Sequence, residues 1–543
     1  MSIRSQRRRA RSLLVIAVLY AVMVQGPQLV STNDTATFAP AERIAAQETA
    51  RAREVDATSV GPTGVEADWV ERENARPGTP GWEIAPTAAH GIEGFADRSY
   101  AAAGDPVQLY VSTTARTFRV EAFRMGYYGG VGARRVWTSS PVSGHEQPAC
   151  TLTSDTHMVS CANWSRSLGI RLTSAFVPGD YLLELVGDHG QRSYVPLTVW
   201  EPKSHAAYVV KNDIFTWQAW NEYGGYDFYA GKGECPSNVY PICSRARVVS
   251  FDRPYGYGDG SGDFLGNEYP LVRFAEQHGL DVTYATDLTL QQHPDYLLQH
   301  RAVLSLGHDE CWSLHERLAV QNAAAHGVNV AFFAASPILR HVRLEDSPLG
   351  ADREEVDYRD GRADPLDHHG DPLEVTGNTW SSPPSSWSAD SFVGATYAGY
   401  VEPGAQPDDF VVADASAWIY RDTGLHDGSK IPGLLASDFD QFDPHSHPPG
   451  VQILGHSPIS LRHAQSTLGA TQGYVYSDMT YHVEPSGAGI FDSGTNNWIP
   501  ALAPCTSCSF RTVAAMTGNL LWLFGQGPAG RTQPPAANSQ HFY

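Results

Sequence analysis

Residues 308–312 carry the side chains of this sequence that are best suited to chemistry. They read His-Asp-Glu-Cys-Trp, follow a predicted strand at Ala302–Leu306 and precede a predicted helix. Polar groups at such a point are costly to bury unless they bind one another or a ligand. We therefore predict that His308, Asp309 and Glu310 are catalytic. The alternative is that the carboxylates only stabilise the start of the helix and that the histidine is a turn residue.

A second group suited to ligand binding lies at 216–225, which read Thr-Trp-Gln-Ala-Trp-Asn-Glu-Tyr-Gly-Gly. Aromatic rings interleaved with an amide suit a pocket wall that both stacks and hydrogen-bonds. We predict that Trp220, Asn221 and Tyr223 line a substrate pocket. A packed aromatic loop is the alternative.

The elements that must position these residues alternate between apolar strands and helices from residue 203 to 530. The predicted strands are Tyr208–Val210, Val248–Phe251, Val282–Tyr284, Ala302–Leu306 and Val328–Phe333. The helix after residue 312 is marked by a capping box, Ser313 with Glu316, and by Gly327 at its end. This pattern predicts a doubly wound parallel sheet, and ligands of such sheets bind beyond the carboxyl ends of the strands.

Residues 73–202 instead show short runs in which apolar and polar residues alternate. Examples are Val107–Val111, Phe118–Ala122 and Tyr181–Leu185. Such alternation, broken by Gly, Pro and Asp, predicts an immunoglobulin-like β-sandwich. The fold class is therefore α/β plus all-β. The loop-rich residues 345–470 are predicted to be a long insertion over one end of the parallel sheet.

The N-terminus predicts export. Residues 1–31 hold five arginines and no acidic residue, and they contain the twelve apolar residues Leu13–Val24. That run is shorter than the roughly 20 residues of a membrane-spanning helix, so we predict a signal peptide, with an N-terminal membrane anchor as the alternative. Residues 32–72 are predicted to be a largely disordered linker and residues 531–543 a disordered tail.

The charge excludes one class of partner. The chain has 38 Lys and Arg against 59 Asp and Glu, a formal charge of −21. An acidic body repels phosphate backbones, so we expect no nucleic-acid partner. Membrane contact is expected only through the N-terminal segment.

Export would allow the seven cysteines to form disulfides. Close spacing predicts three pairs: Cys150–Cys161, Cys235–Cys243 and, with a loop short enough to strain the bridge, Cys505–Cys508. Cys311 is left alone. A further group dense in metal-ligand residues is Asp438, Asp440, Asp443, His445 and His447. A metal site and a solvated surface loop are both open for it.

Several motifs occur together in an order that resembles the large (beta) subunit of N,N-dimethylformamidase and its exported actinobacterial relatives. They are Glu73–Gly78, Phe123–Gly130, Thr216–Gly225, Ser250–Tyr255, Tyr269–Arg273, Leu306–Glu310, Gly327–Phe333, Ile431–Gly433 and Pro485–Gly489. The resemblance implies that the second domain is like the class I glutamine amidotransferases. It also implies hydrolysis of a small amide at a mononuclear iron, held by two tyrosinates and a glutamate.

The resemblance assigns ligands to this chain only with departures. Tyr269 keeps one tyrosine, Cys311 stands where the second is expected, and Asp390 is the nearest substitute for the glutamate. We therefore expect a diverged metal site formed by Tyr269, Cys311 and Asp390. Because a thiolate binds iron, Cys311 is either an altered ligand or an inert thiol in a site that lost its metal.

Three functions follow from the sequence. The first is an exported metal-dependent hydrolase of the C–N bond of a small amide. The second is a non-catalytic exported protein that binds a cell-envelope ligand through Trp220 and Tyr223. The third is a thiol hydrolase that uses Cys311 with His308. Assembly into a homo-oligomer and the need for a small partner subunit stay open.

Overall fold

The computed structural model describes residues 64–232, 244–468, 473–504 and 510–543. The predicted signal segment, most of the predicted linker and the predicted pairs Cys235–Cys243 and Cys505–Cys508 lie outside the described residues. Among those described, no helix combines the length and the apolar character needed to cross a membrane.

The first part of the chain is a short helix followed by two antiparallel sheets packed face to face. The helix and strands are α1 (Asp68–Asn74), β1 (Ile92–Ala96), β2 (Tyr100–Ala102), β3 (Pro106–Thr113), β4 (Thr117–Met125), β5 (Ala133–Thr138), β6 (Val142–Ser143), β7 (Thr151–Leu152), β8 (Val159–Ser160), β9 (Leu168–Arg171), β10 (Gly179–Gly187) and β11 (Arg192–Trp200). One sheet has the order β1-β3-β9, and the other has the order β2-β11-β10-β4-β5, in which β2 alone runs parallel to its neighbour.

The alternation predicted for this part is confirmed in β3, whose residues are buried at every second position. Val107, Leu109 and Val111 fill the core between the two sheets. Strand β10 departs from the alternation because it is buried on both faces. Its second face packs on the rest of the protein, where Leu182 joins the large central core.

The predicted disulfide between Cys150 and Cys161 is confirmed. It closes a loop that carries the small hairpin β7–β8. The backbone N–H of Cys161 also donates to the carbonyl of Asp252, at 2.7 Å. The loop closed by the disulfide is thus tied to the second part by this backbone hydrogen bond.

The second part is built on a seven-stranded sheet. Its elements are β12 (Tyr208–Asn212), α2 (Ile214–Ala219), β13 (Val248–Ser250), α3 (Tyr269–Gln277), β14 (Val282–Thr286), α4 (Asp287–Gln292), β15 (Ala302–Ser305), β16 (Cys311–Ser313), α5 (Leu314–Ala325), β17 (Asn329–Phe332), β18 (Arg340–Ser347), β19 (Gly350–Val356), α6 (Asp390–Val393), β20 (Thr396–Val401), β21 (Asp408–Val411), β22 (Lys430–Leu435), β23 (Asp438–Gln441), β24 (Gln452–Ser460), β25 (Ala464–Ser466), β26 (Tyr474–Val483), β27 (Gly489–Asp492) and α7 (Phe510–Gly525).

The strand order of this sheet is β14-β12-β15-β17-β27-β26-β24. The first five strands are parallel, and β26 and β24 add an antiparallel edge. The chain starts at β12, moves to one side for β14 and then to the other for β15. This reversal makes the gap between β12 and β15 a topological switch point, where ligands of open α/β sheets bind.

One strand prediction was wrong. The apolar run at Val248–Phe251 was expected to be the second parallel strand, but Val248–Ser250 pairs antiparallel with β19 instead. It lies in a separate sheet of order β13-β19-β18-β16. A short apolar run records burial and does not record which neighbour buries it, so the sequence could not distinguish the two sheets.

The helix after β16 begins and ends as predicted, with one difference. The Ser313 hydroxyl accepts the backbone N–H of Glu316, and Gly327 has a φ of 94°, as a glycine after a helix end does. The Glu316 carboxylate, however, does not return to the backbone of residue 313. It turns inward to Lys211.

The predicted insertion at 345–470 folds into short antiparallel pairings, β20 with β23 and β25, and β21 with β22. The C-terminal residues, expected to be a disordered tail, instead pack on the antiparallel edge. Tyr543 donates to Asp478 at 2.5 Å, and Phe542 lies 4.8 Å from the ring of His456. The Pro and Ala content of this segment predicted disorder, but its two terminal aromatic rings anchor it to the sheet.

A buried ion pair lies at the contact between the two parts, which we call the junction. The Arg124 guanidinium of β4 contacts both carboxylate oxygens of Glu276 in α3, at 2.6 and 3.0 Å. Neither side chain is exposed. The Tyr284 and Tyr128 hydroxyls complete the network by bonding to the carboxylate and the guanidinium. Such a pair costs desolvation, but removal of one partner leaves the other charged and buried.

We predict that Arg124→Leu lowers the free energy of unfolding by about 3–5 kcal/mol, because it strands the Glu276 carboxylate in the core. Urea unfolding followed by tryptophan fluorescence measures the change. Arg72→Leu is the matched control, since Arg72 pairs with Asp68 at 3.5 Å on the surface and should cost less than about 1 kcal/mol. Equal losses in the two variants would contradict the role given to the junction.

Candidate active site

Lys211 lies at the switch point, surrounded by carboxyl groups. It is in β12, while Asp287 directly follows β14 and Asp309 follows β15, so the carboxyl ends of three neighbouring strands meet here. The Lys211 Nζ lies against Asp287 Oδ1 and 2.9 Å from Asp309 Oδ2. Glu316 Oε1 follows at 3.0 Å and Asp213 Oδ1 at 3.3 Å. We call these five residues the buried ion cluster, since none of their side chains is exposed.

One ammonium thus faces four carboxyl groups. Burial raises the pKa of Asp213 and of Glu316 well above their usual values, and it raises the pKa of Asp309 to about 6 against the opposing effect of Lys211. Burial works to lower the pKa of Lys211, but the four neighbours together hold it above its ordinary value. These shifts favour the protonated forms of Asp213 and Glu316, which reduces the negative charge that the cluster buries.

The cluster also has the spacing of a cation site. Oxygen atoms of Asp213, Asp287 and Asp309 lie within 4.8 Å of one another. The ammonium of Lys211 lies among the same oxygen atoms and provides the positive charge that the arrangement needs. The cluster therefore holds the strand ends together from within.

We predict that Lys211→Met lowers the free energy of unfolding by about 3–5 kcal/mol, since it removes the positive charge that the buried carboxyl groups share. The measurement is chemical unfolding at pH 7. Lys430→Met is the matched control, because Lys430 pairs with Asp409 at 3.4 Å and is 64% exposed; it should cost less than about 1 kcal/mol. A Lys211 variant as stable as this control would show that the cluster is held by other means.

Glu310 faces the opposite side of the same loop, toward Tyr229, Arg340 and His308. Its carboxylate accepts hydrogen bonds from the Tyr229 hydroxyl at 2.6 Å, from Arg340 Nε at 3.0 Å and from Trp220 Nε1 at 3.3 Å. His308 Nε2 lies 3.0 Å from its second oxygen. Burial works to raise the pKa of Glu310, but His308, Arg340 and Tyr229 hold it well below its usual range. Glu310 is thus a fixed negative charge.

The backbone holds this loop from both sides. The Thr216 hydroxyl accepts the N–H groups of Glu310 and Cys311, each at 3.0 Å. The carbonyl of Glu310 accepts the N–H of Arg340 at 2.8 Å, where β16 begins to pair in parallel with β18. Gly307 turns the chain with a φ of 45°, and a Cβ there would lie 2.9 Å from the carbonyl of Asn267.

His308 lies between two carboxylates. Its Nε2 atom is 3.0 Å from Glu310 Oε2 and 3.6 Å from Asp438 Oδ2, yet it is buried and makes no hydrogen bond of good geometry. Burial alone would lower the pKa of His308, but Glu310, Asp438 and Asp263 raise it to about 9. A protonated imidazole therefore lies between the two carboxylates, with its Nε2 atom nearer to Glu310 than to Asp438.

Asp438, on β23 of the insertion, lies on the other side of this imidazole. Burial raises the pKa of Asp438 to about 6, against the lowering effect of His308. Its Oδ2 atom is 3.5 Å from the Ser336 hydroxyl, which follows β17. We call His308, Glu310, Ser336, Arg340 and Asp438 the His308 crevice.

The structure brings together only some of the predicted catalytic and pocket residues. His308 and Glu310 share the crevice, whereas Asp309 turns away into the buried ion cluster. Trp220 stacks on Tyr229 with ring centroids 3.7 Å apart and binds Glu310. Asn221 and Tyr223 lie elsewhere: Asn221 bonds to Gln218 and the carbonyl of Pro254, and Tyr223 donates to Glu93 of β1.

The structure does not bring the three predicted metal ligands together. Tyr269 donates its hydroxyl to the carbonyls of Gly126 and Gly132, in the junction with the sandwich. Cys311 is unpaired and 0% exposed, and burial raises the pKa of its thiol well above its usual value. Asp390 accepts the Ser388 hydroxyl at the start of α6. The ligand set stays a prediction that no contact among these residues supports.

Sequence reasoning missed two crevice residues, Ser336 and Arg340, and named Asp438 only as a member of a segment dense in metal ligands. Neither serine nor arginine stands out in its local sequence. Asp438 and Asp440 were singled out by their spacing, but their partner after β17 could be found only from the fold.

The comparisons with known proteins place this arrangement in a family. The sequence profile of the C-terminal part of the N,N-dimethylformamidase beta subunit-like proteins matches residues 119–509, which is more than half of the chain. The chain belongs to this family. The match runs from β4 of the sandwich to the residue before α7, so the family covers the junction, the buried ion cluster and the His308 crevice.

No curated protein matches the chain. A solved structure of a Paenibacillus sp. cycloisomaltooligosaccharide glucanotransferase, complexed with cycloisomaltoheptaose, is 11% identical over 37% of this chain, with a TM-score of 0.14. The similarity covers 28% of that protein's length. A likeness this low carries no argument about fold or function.

We predict that iodoacetamide leaves Cys311 unmodified in the folded protein. The thiolate is the reactive form, and burial raises the pKa of this thiol well above its usual value, so little thiolate forms at neutral pH. Peptide mapping before and after denaturation in urea measures the labelling. Modification of Cys311 at the same rate in both states would show that the thiol is accessible.

Proposed function

We propose that the protein is an exported hydrolase of the C–N bond of a small amide, with its reaction at the His308 crevice. Membership of a family named for N,N-dimethylformamidase supports the substrate class. The observation that carries the proposal is the pair His308 and Asp438, an acid and a base 3.6 Å apart at the carboxyl edge of the sheet. Pairs of titratable groups whose environments push their pKa values apart are typical of acid–base catalysis.

The pair suits the two proton transfers of amide hydrolysis. Ionised Asp438 accepts the proton of the group that attacks the carbonyl carbon. Protonated His308 then gives its Nε2 proton to the leaving nitrogen, which departs as a neutral amine. Glu310 keeps the imidazole protonated and oriented, and Arg340 holds Glu310. Trp220, stacked on Tyr229, supplies an apolar wall beside the crevice.

The iron implied by the family does not fit the residues assigned to it. Tyr269 gives its hydroxyl proton to two carbonyls, and the Cys311 thiol is protonated and closed off. The proposal therefore routes no step through a metal. It also leaves no role for Cys311 as a nucleophile, because a thiolate is required for attack.

We further propose that the two parts are an immunoglobulin-like sandwich and a domain like the class I glutamine amidotransferases. Two packed antiparallel sheets support the first. A central parallel sheet with a switch point between β12 and β15 supports the amidotransferase-like domain. The charge pattern of residues 1–31 supports export.

We predict that Asp438→Asn and His308→Gln each lower kcat/KM for a small amide by about 10²–10⁴-fold, the usual contribution of one acid–base group. Amine or ammonia release from formamide, N-methylformamide and N,N-dimethylformamide is the measurement. Asp422→Asn, an exposed carboxyl change in the same insertion, should leave the rate unchanged.

The pH profile follows from the same two groups. Activity needs Asp438 ionised, so it rises with pH through about 6, and it needs His308 protonated, so it falls with pH through about 9. Dialysis against EDTA should leave the rate unchanged. Loss of activity on chelation with recovery on adding iron would contradict this mechanism. A folded protein that releases no amine from any of the three amides would favour the binding-protein alternative.

A further inference from the structure

Ser336 has a backbone conformation that serine rarely adopts. It lies four residues after the end of β17, at the same edge of the sheet as His308, and its φ is 60°. A non-glycine residue in the left-handed region is strained unless the surroundings hold it, and such residues cluster at active sites. The side chain at this position is almost fully buried, at 1% exposure.

The surroundings hold this conformation through the backbone. The N–H of Ser336 donates to both carboxylate oxygens of Asp440, at 2.8 and 2.9 Å. The preceding N–H, of Ala335, donates to Asn496 Oδ1 at 2.7 Å. The Ser493 hydroxyl donates to the carbonyl of Ala334 at 3.0 Å. The turn is thus fixed without the Ser336 hydroxyl, which is left free for another role.

The Ser336 hydroxyl lies next to Asp438, the proposed general base. Ser336 Oγ is 3.5 Å from Asp438 Oδ2, and the same oxygen atom is 3.6 Å from His308 Nε2. The Asp438 carboxylate therefore lies between the Ser336 hydroxyl and the His308 imidazole, close enough for proton transfer on either side. Contacts of this kind are commonly long in ligand-free enzymes and shorten when substrate binds.

We propose that Ser336 is the nucleophile of the hydrolysis and forms a covalent acyl-enzyme, an inference that rests on the proposed function. Ser336 Oγ forms a bond to the amide carbonyl carbon while its proton passes to Asp438. The C–N bond then breaks, and the leaving nitrogen takes a proton from His308. Neutral amine departs and an ester of Ser336 remains.

Water completes the cycle. It attacks the ester carbon, loses one proton to the now neutral His308, and the Ser336–carbon bond breaks. Ser336 Oγ takes back the proton held by Asp438. Carboxylic acid leaves, and both groups return to their starting protonation states. The balance is one water consumed for one amide cleaved, with no oxidant or metal.

The test uses p-nitrophenyl acetate, an activated ester that acylates serine nucleophiles without an amide bond. The purified protein is mixed with p-nitrophenyl acetate, the reaction is quenched in acid, and the peptides are mapped by mass spectrometry. We expect a burst of p-nitrophenol and a single acetyl group on the peptide that contains Ser336. Ser336→Gly, which accepts the positive φ without strain, should remove both and lower amide turnover by at least about 100-fold.

Two variants keep the result interpretable. Ser336→Cys retains a nucleophile and should still be acetylated. Ser386→Gly is the matched control, because Ser386 also has a positive φ, 45°, but is exposed on the insertion. It should behave as wild type, and melting temperatures within a few degrees of wild type would show that all three variants fold.

The outcomes separate this inference from the proposed function. Amide turnover that persists at the wild-type rate in Ser336→Gly means that water attacks directly, and the inference fails while the proposed function stands. An acetyl group on Ser336 without turnover of any small amide supports the nucleophile and overturns the amide substrate class. Wild-type protein that shows neither acetylation nor amide turnover overturns both.

Discussion

The meeting of one buried ammonium with four carboxyl groups at the ends of three parallel strands is the constraint on which the rest of this structure depends. Charges taken out of water must be compensated by partners of good geometry, and these contacts tie the ends of β12, β14 and β15 to the start of α5. The loop from β15 to β16 is part of that arrangement. Because Asp309 points inward to Lys211, its neighbours His308 and Glu310 face outward. The buried ion cluster thus determines how the side chains of the His308 crevice are oriented.

The sequence predicted the large features well, because they follow from local patterns. Alternating burial in β3, the parallel strands near 208, 282, 302 and 329, and the serine cap of α5 all depend on residues close in the chain. The close pair Cys150–Cys161 followed from spacing and from the inferred compartment. His308 and Glu310 were found because chemistry-bearing side chains at a strand end are conspicuous.

What the sequence could not give depends on contacts between distant segments. Glu316 was read as half of a capping box, but Lys211, about a hundred residues earlier, attracts its carboxylate. For Asp438 the sequence leaves a metal site and a solvated surface loop both open, but the insertion places it 3.6 Å from His308. The family resemblance assigned Tyr269 and Cys311 to ligand positions from separate motifs, which carry no information on whether the two side chains meet. Only the fold shows that Tyr269 lies in the junction and that Cys311 is buried near Tyr229.

The family scaffold is thus separable from any one chemistry. Its sheets, junction and buried ion cluster concern folding, while the groups proposed to react lie at the edge of the parallel sheet. A scaffold held so firmly from within tolerates exchange of those groups. The serine, the aspartate and the histidine proposed to react can therefore be exchanged without a change of the fold.

The crevice is assembled from three separate stretches of chain, and Asp438 arrives with the insertion, long after His308 and Ser336 in the order of synthesis. A chain whose insertion has not yet docked therefore lacks the proposed base, although most of its parallel sheet is already synthesised. On the proposed mechanism the nascent polypeptide is inactive, and activity begins only when the insertion has docked on the earlier part of the chain.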